Sequence, residues 1–407
     1  MTGPAPGDAL PDGAYVLILT CNAIDEFGHN AVFAEEIGAG LAASGVTTKV
    51  CDYRQQFREL TEAMRDPACL FLMAFNGFGA EIAVAGWPAG DLVPAYDLAR
   101  KPLFDLMHDS PAHDTMAHQV LVRSAWRHLL VTDHGYAQEA AELGFPSVRH
   151  VRSITFPRTL PGPVVPIGDR RVSVLLPIRL PRPEAVVERF NTGSLAMRSV
   201  WRALFDFVTE RCVEDLSLDT RLETRLACRE AGIHFDVQDD NCRFLLTAIT
   251  DQVKFTRRQR LVHALRHLPI TLVTNRAAEP GSGAMEFAPA RSFVELLRLM
   301  ADSRIVISPL PHMTGWHERA LGAFTAGAAV VAAPNERLET AFRHDQDLVF
   351  YRRPEEAAAV VEALLADPAR LASLAESGHA RAMEACSPQR LAETMLASWR
   401  LRHETVS

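Results

Sequence analysis

Short apolar runs that alternate with helical stretches are the feature that most restricts how this 407-residue chain can fold. The run YVLILT (15–20) is followed by AVFAEEIGAGLAASG (31–45), whose composition is typical of a helix, and the two together form a βα unit. Further strand candidates in the first half are TKVCDY (48–53), CLFLMAF (69–75), KPLFDLM (101–107) and HLLVT (128–132). Continuous apolar strands separated by helices predict an α/β fold with a parallel sheet covered on both faces.

A proline- and glycine-rich segment, TFPRTLPGPVVPIGDR (155–170), separates two series of this kind. It breaks both the strand and the helix periodicity, so it is interpreted as a linker. After it come the strand candidate RVSVLLPI (171–178) and a mostly helical segment at about 184–268. The second series comprises ITLVTN (270–275), SFVELLRLMADS (292–303), RIVISPL (304–310), DLVFY (347–351) and PEEAAAVVEALLAD (354–367).

The two series predict two doubly wound, Rossmann-like domains, residues 1–165 and residues 166–407, of which the second carries the helical segment. The last helix is expected to cross back to the first domain. In tandem domains of this type a ligand cleft normally faces the carboxyl ends of the strands. The functional residues are therefore expected in the loops that follow strands.

Composition excludes several classes of protein. The formal charge of −8 provides no global positive field, so a nucleic-acid partner is not expected. The seven cysteines are scattered without a CxxC pair, which argues against a disulfide framework or a zinc site and favours a reducing, cytoplasmic compartment. The opening MTGPAPGDALPDG lacks the features of a signal peptide, and no apolar run is long enough to cross a bilayer. Neither export nor a membrane span is expected.

One stretch of the second series combines strongly polar and apolar residues. TGWHERALGAFTAGAAVVAAPN, from Thr314 to Asn335, has His317, Glu318 and Arg319 at the front of a segment otherwise made of small and apolar residues. Charged groups are costly in such surroundings unless something pairs with them. WHERALGAFTAG is predicted to be a helix that follows the strand RIVISPL and is stopped by Gly327.

The first turn of this helix is a candidate anion site. Free backbone N–H groups and the positive end of the helix dipole favour negative charge there, with Thr314 as N-cap and Gly315 allowing a phosphate to approach the backbone. Arg319 has the planar fork that grips two phosphate oxygens. The alternative is that Glu318 and Arg319 form an exposed helix start and that His317 is a satisfied core histidine.

A resemblance to a known family supports the interpretation of this helix start as an anion site. RIVISPLPHMTGWHERALGAFTAGAAVVAAPN, LETAFRHDQDLVFY and RLASLAESGHARAMEACS resemble the carboxyl-terminal domain of CgeB-like, GT-B-fold glycosyltransferases over roughly residues 254–395. In that pattern His317, Arg319 and Gly327 match positions of the nucleotide-sugar donor site. The resemblance implies a metal-independent transferase that moves a sugar from a nucleotide diphosphate sugar to a hydroxyl of a glycan, a protein or a small molecule. It implies no cofactor, since the nucleotide sugar is a substrate.

The chain departs from the family pattern at one position of this helix. Many GT-B transferases carry a glutamate five residues before the glycine, where it binds the donor ribose, and here that position is Gly322. Glu318, one turn earlier on the same helix face, is the candidate substitute. Arg276, directly after ITLVTN, is a second diphosphate candidate; the alternative for it is an ordinary surface arginine.

In the first half, CNAIDEFGHNAVFAEEI places Gly28, His29 and Asn30 between the first strand and the first helix. The resembled fold has acceptor-side groups in this loop, and an imidazole titrates near working pH, so His29 is a candidate general base. The alternative is a loop histidine that fixes the helix start.

The segment MHDSPAHD (107–114) concentrates two histidines and two aspartates after another strand. A divalent metal is one use of such a group, but the segment has no closed spacing signature and GT-B enzymes generally act without a bound metal. We expect no metal here and expect Asp109, with His108, to contact the acceptor or to take its proton.

Two rival functions remain open from the sequence. One is a nucleotide-sugar epimerase with the same fold, and the other is a non-catalytic protein that binds a nucleotide sugar, which Gly322 favours. A nicotinamide oxidoreductase is less favoured, because CNAIDEFGHN follows the first strand in place of the glycine fingerprint that cradles a dinucleotide.

Overall fold

The structure is a computed structural model that describes residues 10–85, 92–113, 122–192, 198–275, 284–309 and 314–406. The chain forms two compact units. The first comprises Met1–Pro111, Thr115–Thr159 and Cys386–Ser407, and the second comprises Ala112–Asp114 and Leu160–Ala385.

The first unit contains a six-stranded parallel sheet in the order β2-β1-β3-β6-β7-β8. Its strands are β1 (Tyr15–Thr20), β2 (Thr47–Asp52), β3 (Cys69–Phe75), β6 (Leu103–Met107), β7 (Arg127–Val131) and β8 (Val148–His150). A separate antiparallel pair is formed by β4 (Ala83–Ala85) and β5 (Leu92–Pro94). Every residue of β1 and β3 is buried, as expected for strands covered on both faces.

The second unit contains a six-stranded parallel sheet in the order β11-β10-β9-β12-β13-β14. Its strands are β9 (Val172–Pro177), β10 (Ile270–Thr274), β11 (Glu286–Pro289), β12 (Ser303–Ser308), β13 (Ala329–Ala332) and β14 (Val349–Phe350). The strand order reverses at β9, because β10 lies on one side of it and β12 on the other. In open parallel sheets, ligands bind outside the carboxyl ends of the strands at such a reversal. The prediction of an α/β protein with two doubly wound sheets is confirmed.

Helices cover the two sheets and fill the long connection between β9 and β10. In chain order they are α1 (His29–Ala43), α2 (Phe57–Arg65), α3 (Ala95–Leu98), α4 (His134–Glu142), α5 (Pro183–Thr192), α6 (Arg198–Glu214), α7 (Thr220–Glu230), α8 (Asp240–Leu265), α9 (Phe293–Ala301), α10 (Glu318–Thr325), α11 (Glu336–Ala341), α12 (Pro354–Ala366), α13 (Pro368–Ala385) and α14 (Pro388–Val406). None of the helices in the described part of the chain is both long and apolar enough to cross a membrane.

The last helix, α14, packs against α1 in the first unit. A Cβ atom added at Gly40 would lie 2.5 Å from the backbone oxygen of Pro388, so only glycine permits this approach of α1 to the start of α14. Thr155 donates two hydrogen bonds to the backbone oxygen of Cys386, one from its N–H at 2.8 Å and one from its hydroxyl at 3.1 Å. The chain end is therefore part of the first unit.

The predicted helical segment contains α5 to α8, which share a core of their own. Large buried side chains from three of these helices meet there, among them Phe190, Trp201, Phe205, Leu245 and Ile249. The 26-residue α8 is the central element, since α5, α6, α7 and α12 all pack against it. A charged residue on α8 can consequently be covered on several sides.

A buried carboxylate anchors the connection that leads into β14. Asp347 has a fully buried side chain and accepts hydrogen bonds from the Arg343 backbone N–H (2.8 Å), the Arg343 Nε (3.1 Å) and the Ser377 hydroxyl. Burial raises the pKa of Asp347, but these hydrogen bonds outweigh burial and hold the pKa at about 2, below the ordinary value of 3.8. The charged form is therefore the one that stabilises the fold.

We expect Asp347→Asn to lower the free energy of unfolding at neutral pH by roughly 1–3 kcal/mol. Because the folded pKa is depressed, the contribution is complete above about pH 5 and is lost as the pH falls from about 4 towards 2. Urea unfolding of wild type and variant between pH 3 and pH 7 should show a difference that shrinks with falling pH. The control is Asp345→Asn, at a half-exposed side chain, which should change stability by less than about 0.5 kcal/mol. A pH-independent difference would contradict the assignment.

Candidate functional site

Helix α10 begins just beyond β12, next to the reversal of the second sheet. Its apolar residues Ala320, Leu321 and Phe324 are fully buried. The helix ends at Thr325, and Gly327 then adopts φ +66°, where an added Cβ would lie 2.3 Å from Val164 Cγ1. The prediction that Gly327 stops this helix is confirmed, and no other residue fits there without movement.

The predicted N-cap of this helix was wrong. His317 is still extended (φ −118°, ψ 128°), so the helix starts at Glu318, and the cap is the His317 Nδ1, which accepts a hydrogen bond from the Arg319 N–H at 3.2 Å. The Thr314 hydroxyl, four residues outside the helix, accepts a hydrogen bond from Arg221 Nη2 at 2.9 Å. Gly315 is buried beside it. Thr314 thus joins the site to α7 and does not cap α10.

The three polar residues at the start of α10 interact with one another. Glu318 Oε2 lies 3.3 Å from His317 Nδ1, and Glu318 Oε1 lies 4.0 Å from Arg319 Nε. Their side chains are only 13%, 21% and 19% exposed for His317, Glu318 and Arg319 respectively. The start of this helix is therefore largely covered and is not a solvated surface.

Arg319 carries charge that the described residues only partly compensate. Its Nη1 is buried and has no hydrogen-bond partner among the residues that the structure describes. Burial lowers the pKa of Arg319; Glu318 opposes this effect and the neighbouring charge of Arg179 adds to it. A guanidinium in this state is a candidate ligand for an anion.

The charge of Arg319 acts on a buried arginine. Arg258, on α8, is 7% exposed, and its Nη1 donates to the backbone oxygen of Arg179 at 3.2 Å. Its Nε has no hydrogen-bond partner in the described part of the chain. Burial first, and then the charge of Arg319, lowers the pKa of Arg258 to about 9, while Asp251 and Glu318 oppose the shift.

Arg179, Arg258 and Arg319 are here called the arginine cluster. Arg179 is exposed and follows β9 at the strand where the sheet order reverses, Arg258 comes from α8, and Arg319 comes from α10. The cluster joins positive charge to the amino terminus of an eight-residue helix, which favours binding of an anion with several oxygens.

Two members of this cluster were not predicted from the sequence. Arg258 belongs to the basic run KFTRRQRLVHALRH (254–267), which is typical of a solvated helix face, whereas the structure buries Arg258. Arg179 stands directly after a strand of the second series, the criterion that selected Arg276. Applied to every strand, that criterion would have found Arg179. Arg276 itself lies outside the described residues.

Asp251, whose charge acts on Arg258, also lies near His113, which belongs to the segment MHDSPAHD that was considered for a metal. His113 Nε2 lies 3.8 Å from Asp251 Oδ2, and Lys254 Nζ donates to Asp251 Oδ1 at 2.6 Å. Asp114 lies outside the described residues. Within the described ranges, no group of three or more His, Cys, Asp and Glu side chains is arranged to hold a metal ion.

The prediction that His29 and Asn30 lie in the loop after β1 was wrong, because α1 already begins at His29. Gly28, in the left-handed region at φ +71°, precedes it, and the Asp25 carboxylate accepts hydrogen bonds from the N–H groups of His29 (2.9 Å) and Asn30 (2.8 Å). Asp25 therefore satisfies the helix start. The half-buried His29 ring contacts Phe27 edge-on, with the ring centroids 6.2 Å apart.

Asp109 follows β6 at the same edge of the first sheet and is exposed. Its Oδ2 accepts a hydrogen bond from Asn76 Nδ2 at 2.9 Å. The preceding residue, His108, packs on Phe33 with ring centroids 4.5 Å apart. Because only β3 separates β1 from β6, the two strand ends that lead to His29 and Asp109 are roughly 10 Å apart.

Comparison with known proteins identifies the fold. Residues 257–397, which include Arg258 and Arg319, match the sequence profile of a family described as glycosyl transferase-like. The sucrose-phosphate synthase of Thermosynechococcus elongatus superposes with a TM-score of 0.53 at 11% identity, covering 96% of this chain and 100% of that one. HepE of Anabaena, in complex with UDP and glucose, gives a TM-score of 0.52 at 12% identity over 94% and 100%. The chain has the GT-B fold.

A further GT-B structure is an alpha-glucosyltransferase in complex with UDP-glucose and DNA containing an abasic site. It superposes with a TM-score of 0.51 at 9% identity, covering 95% of this chain and 99% of that one. No curated protein matches the sequence significantly. At these identities the likeness establishes the GT-B fold, and function has to be argued from the site.

If Arg319 is held at an electrostatic cost, replacing it with an apolar residue of similar length should not destabilise the free protein. We expect Arg319→Met to leave the free energy of unfolding unchanged or to raise it by up to about 2 kcal/mol, because the substitution removes a largely covered charge whose Nη1 has no hydrogen-bond partner among the described residues. Urea unfolding without ligand measures this. The matched control, Arg171→Met at the exposed start of β9, should have an effect below about 0.5 kcal/mol. A loss above about 1 kcal/mol for Arg319→Met would instead assign Arg319 a structural role.

Proposed function

We propose that the protein is a glycosyltransferase that moves a sugar from a nucleotide diphosphate sugar to a hydroxyl acceptor. The observation that carries the proposal is the arginine cluster at the reversal of the second sheet. Arg258 is buried and Arg319 is largely covered, and each has one buried guanidinium nitrogen without a hydrogen-bond partner among the described residues. Both arginines lie in the segment that matches the glycosyl transferase-like profile. Solved structures with this fold hold UDP and glucose or UDP-glucose, which supports a nucleotide sugar as the ligand.

The cluster suits a diphosphate leaving group. As the bond between the sugar and the diphosphate breaks, negative charge grows on the phosphate oxygens, and fixed cations in a covered site stabilise it. Arg319 and Arg258 supply that charge, and the positive end of the α10 dipole adds to it. In this proposal the arginines perform the electrostatic task without a metal ion.

The acceptor side of the proposal uses the carboxyl edge of the first sheet. His29 and Asp109 are the two residues proposed to take the acceptor proton. Asp109 is exposed and His29 is half-buried, so both can meet a ligand. The acceptor is proposed to be a glycan, a protein or a small molecule, and the formal charge of −8 disfavours nucleic acid.

A second candidate function is a protein that binds a nucleotide sugar without turning it over. Gly322 favours it, because this buried position of α10 has no side chain where the resembled family has a ribose-binding glutamate. Measuring UDP release separates the two functions, since a binding protein retains affinity but produces no free nucleotide. The CgeB-like subgroup is proposed on the residue pattern alone.

The cytoplasm is the proposed compartment. All seven cysteines are buried and none is joined in a disulfide. Buried free thiols are typical of proteins that fold in a reducing environment.

The donor assignment predicts how Arg319 variants bind nucleotides. Losing a charge-assisted hydrogen-bonded contact costs about 1.5–3 kcal/mol, so Arg319→Ala should weaken UDP binding roughly ten- to a hundredfold. Arg319→Lys should recover only part of the affinity, because an ammonium does not reproduce the planar fork. Calorimetric titration with UDP, GDP and ADP identifies the preferred base and measures both variants.

The matched control is Arg171→Ala, at the amino end of the same strand whose carboxyl end leads to Arg179. It should bind the preferred nucleotide like wild type, because it lies at the opposite edge of the sheet. Wild-type affinity in Arg319→Ala would remove the donor site from α10. No binding of any nucleotide by wild type would remove the proposed function.

For His29 we expect a loss of reaction rate without a loss of nucleotide affinity. His29→Ala should lower the rate of UDP release from UDP-glucose at least tenfold and leave the affinity for UDP within twofold, because His29 is assigned to the acceptor side. His134→Ala is the control, since His134 is likewise the first residue of a helix that follows a strand of the same sheet. Parallel losses of affinity and rate in His29→Ala would move His29 to donor binding or to folding.

A further inference from the structure

Asn76 makes an unusual number of contacts for a residue in a short turn. Its side-chain Oδ1 accepts hydrogen bonds from the N–H groups of His108 (2.7 Å) and Asp109 (3.2 Å). Its Nδ2 donates to Asp109 Oδ2 at 2.9 Å. One side chain from the end of β3 therefore holds both the backbone and the carboxylate of the residue that follows β6.

The backbone of Asn76 is itself constrained. Its φ is +49°, in the left-handed region that few residues other than glycine, asparagine and aspartate adopt. The Asn76 N–H donates to the Leu106 backbone oxygen at 3.1 Å, which ties the turn to β6. A non-glycine residue held in this conformation beside a proposed reactive group is a common sign of a functional constraint.

The turn is also fixed to the core. Gly77 donates its N–H to Asp105 Oδ1 at 2.9 Å, and Asp105 pairs with Arg127. Both charged side chains are fully buried, and Arg127 donates a further hydrogen bond from Nη1 to the Val122 backbone oxygen at 2.9 Å. The position of Asn76 is thus set by an ion pair that cannot move without disrupting the sheet.

We propose that Asn76 is a positioning residue that sets the direction of the Asp109 carboxylate. The inference rests on the proposed function, in which Asp109 is one of the two groups that take the acceptor proton. An exposed aspartate samples several rotamers, and a misplacement of about 1 Å at a reacting group can cost a hundredfold in rate. Asn76 removes that freedom by holding Oδ2, which leaves Oδ1 as the oxygen that meets the acceptor.

Two substitutions separate positioning from simple turn formation. Asn76→Asp keeps the size, the tolerance of a left-handed backbone and an oxygen for the two N–H groups, but replaces the donor to Asp109 with a like charge. Asn76→Gly keeps the backbone freedom and removes every side-chain contact. A turn former would tolerate both changes, whereas a positioning residue tolerates neither.

We expect both variants to lower the rate of UDP release from UDP-glucose in water at least tenfold, with the KM for UDP-glucose within twofold of wild type and a similar melting temperature. In an Asp109→Ala background, Asn76→Gly should have no further effect, because Asn76 acts through Asp109. Additive losses in the double variant, or wild-type rates in Asn76→Asp, would overturn the proposal.

A measurement without substrate tests the hold on the carboxylate directly. Asp109 can be modified with a water-soluble carbodiimide and glycine ethyl ester and quantified by mass spectrometry, with Asp345 as an internal reference. Asn76→Gly should raise the modification rate of Asp109 severalfold and leave that of Asp345 unchanged. An unchanged rate at Asp109 would overturn the proposal.

A wild type that binds no UDP and releases none would count against the proposed function, while the labelling would still decide whether Asn76 holds Asp109.

Discussion

The placement of two arginine side chains beside each other, Arg258 buried and Arg319 largely covered, is the constraint on which the carboxyl edge of the second sheet depends. Removing a guanidinium from water is expensive, and a like charge nearby adds to the cost. Glu318, Asp251 and the Arg179 carbonyl offset part of it, yet the pKa values of Arg258 and Arg319 remain lowered. In the proposed function this incompletely compensated charge is already in place, so an anion would gain attraction without the protein first having to reorganise.

In the first sheet the buried charges are paired with each other. Asp105 and Arg127 lie fully buried in the middle of that sheet, but they form a direct ion pair and their remaining atoms are hydrogen-bonded to Gly77 and Val122. Such a pair contributes specificity to the fold and leaves no net charge for a ligand. The groups proposed to take the acceptor proton lie instead at the carboxyl edge of this sheet, beside the turn that Asp105 holds through the Gly77 N–H. In the second sheet, by contrast, the charged arginine cluster lies at the carboxyl edge of the sheet.

Much of the fold could be predicted from the sequence because strands covered on both faces have to be continuous apolar runs. The run CLFLMAF is β3 to the residue, whereas the three-residue strands β4, β5 and β8 are too short to produce such a signal. The site was predicted in part. The polar start of α10 was found from its contrast with apolar surroundings, but capping by His317 depends on backbone angles that composition does not report. Arg258 was missed because a helix packed on several sides buries residues that a one-sided pattern assigns to solvent.

Because position 322 is a glycine, Glu318 is the acidic residue of α10 on which the proposed donor site depends. In the free protein its Oε1 lies 4.0 Å from Arg319 Nε, so the carboxylate is a counter-charge for the arginine cluster. In the proposed function a diphosphate pairs with Arg319, and the Glu318 carboxylate, which is 21% exposed, is the group at the helix start that can accept hydrogen bonds from hydroxyl groups of the ligand. Position 322 lies one turn further along the helix and is buried, whereas Glu318 stands next to Arg319, so in this proposal one helix start carries both the cation for the phosphates and the acceptor for the hydroxyl groups.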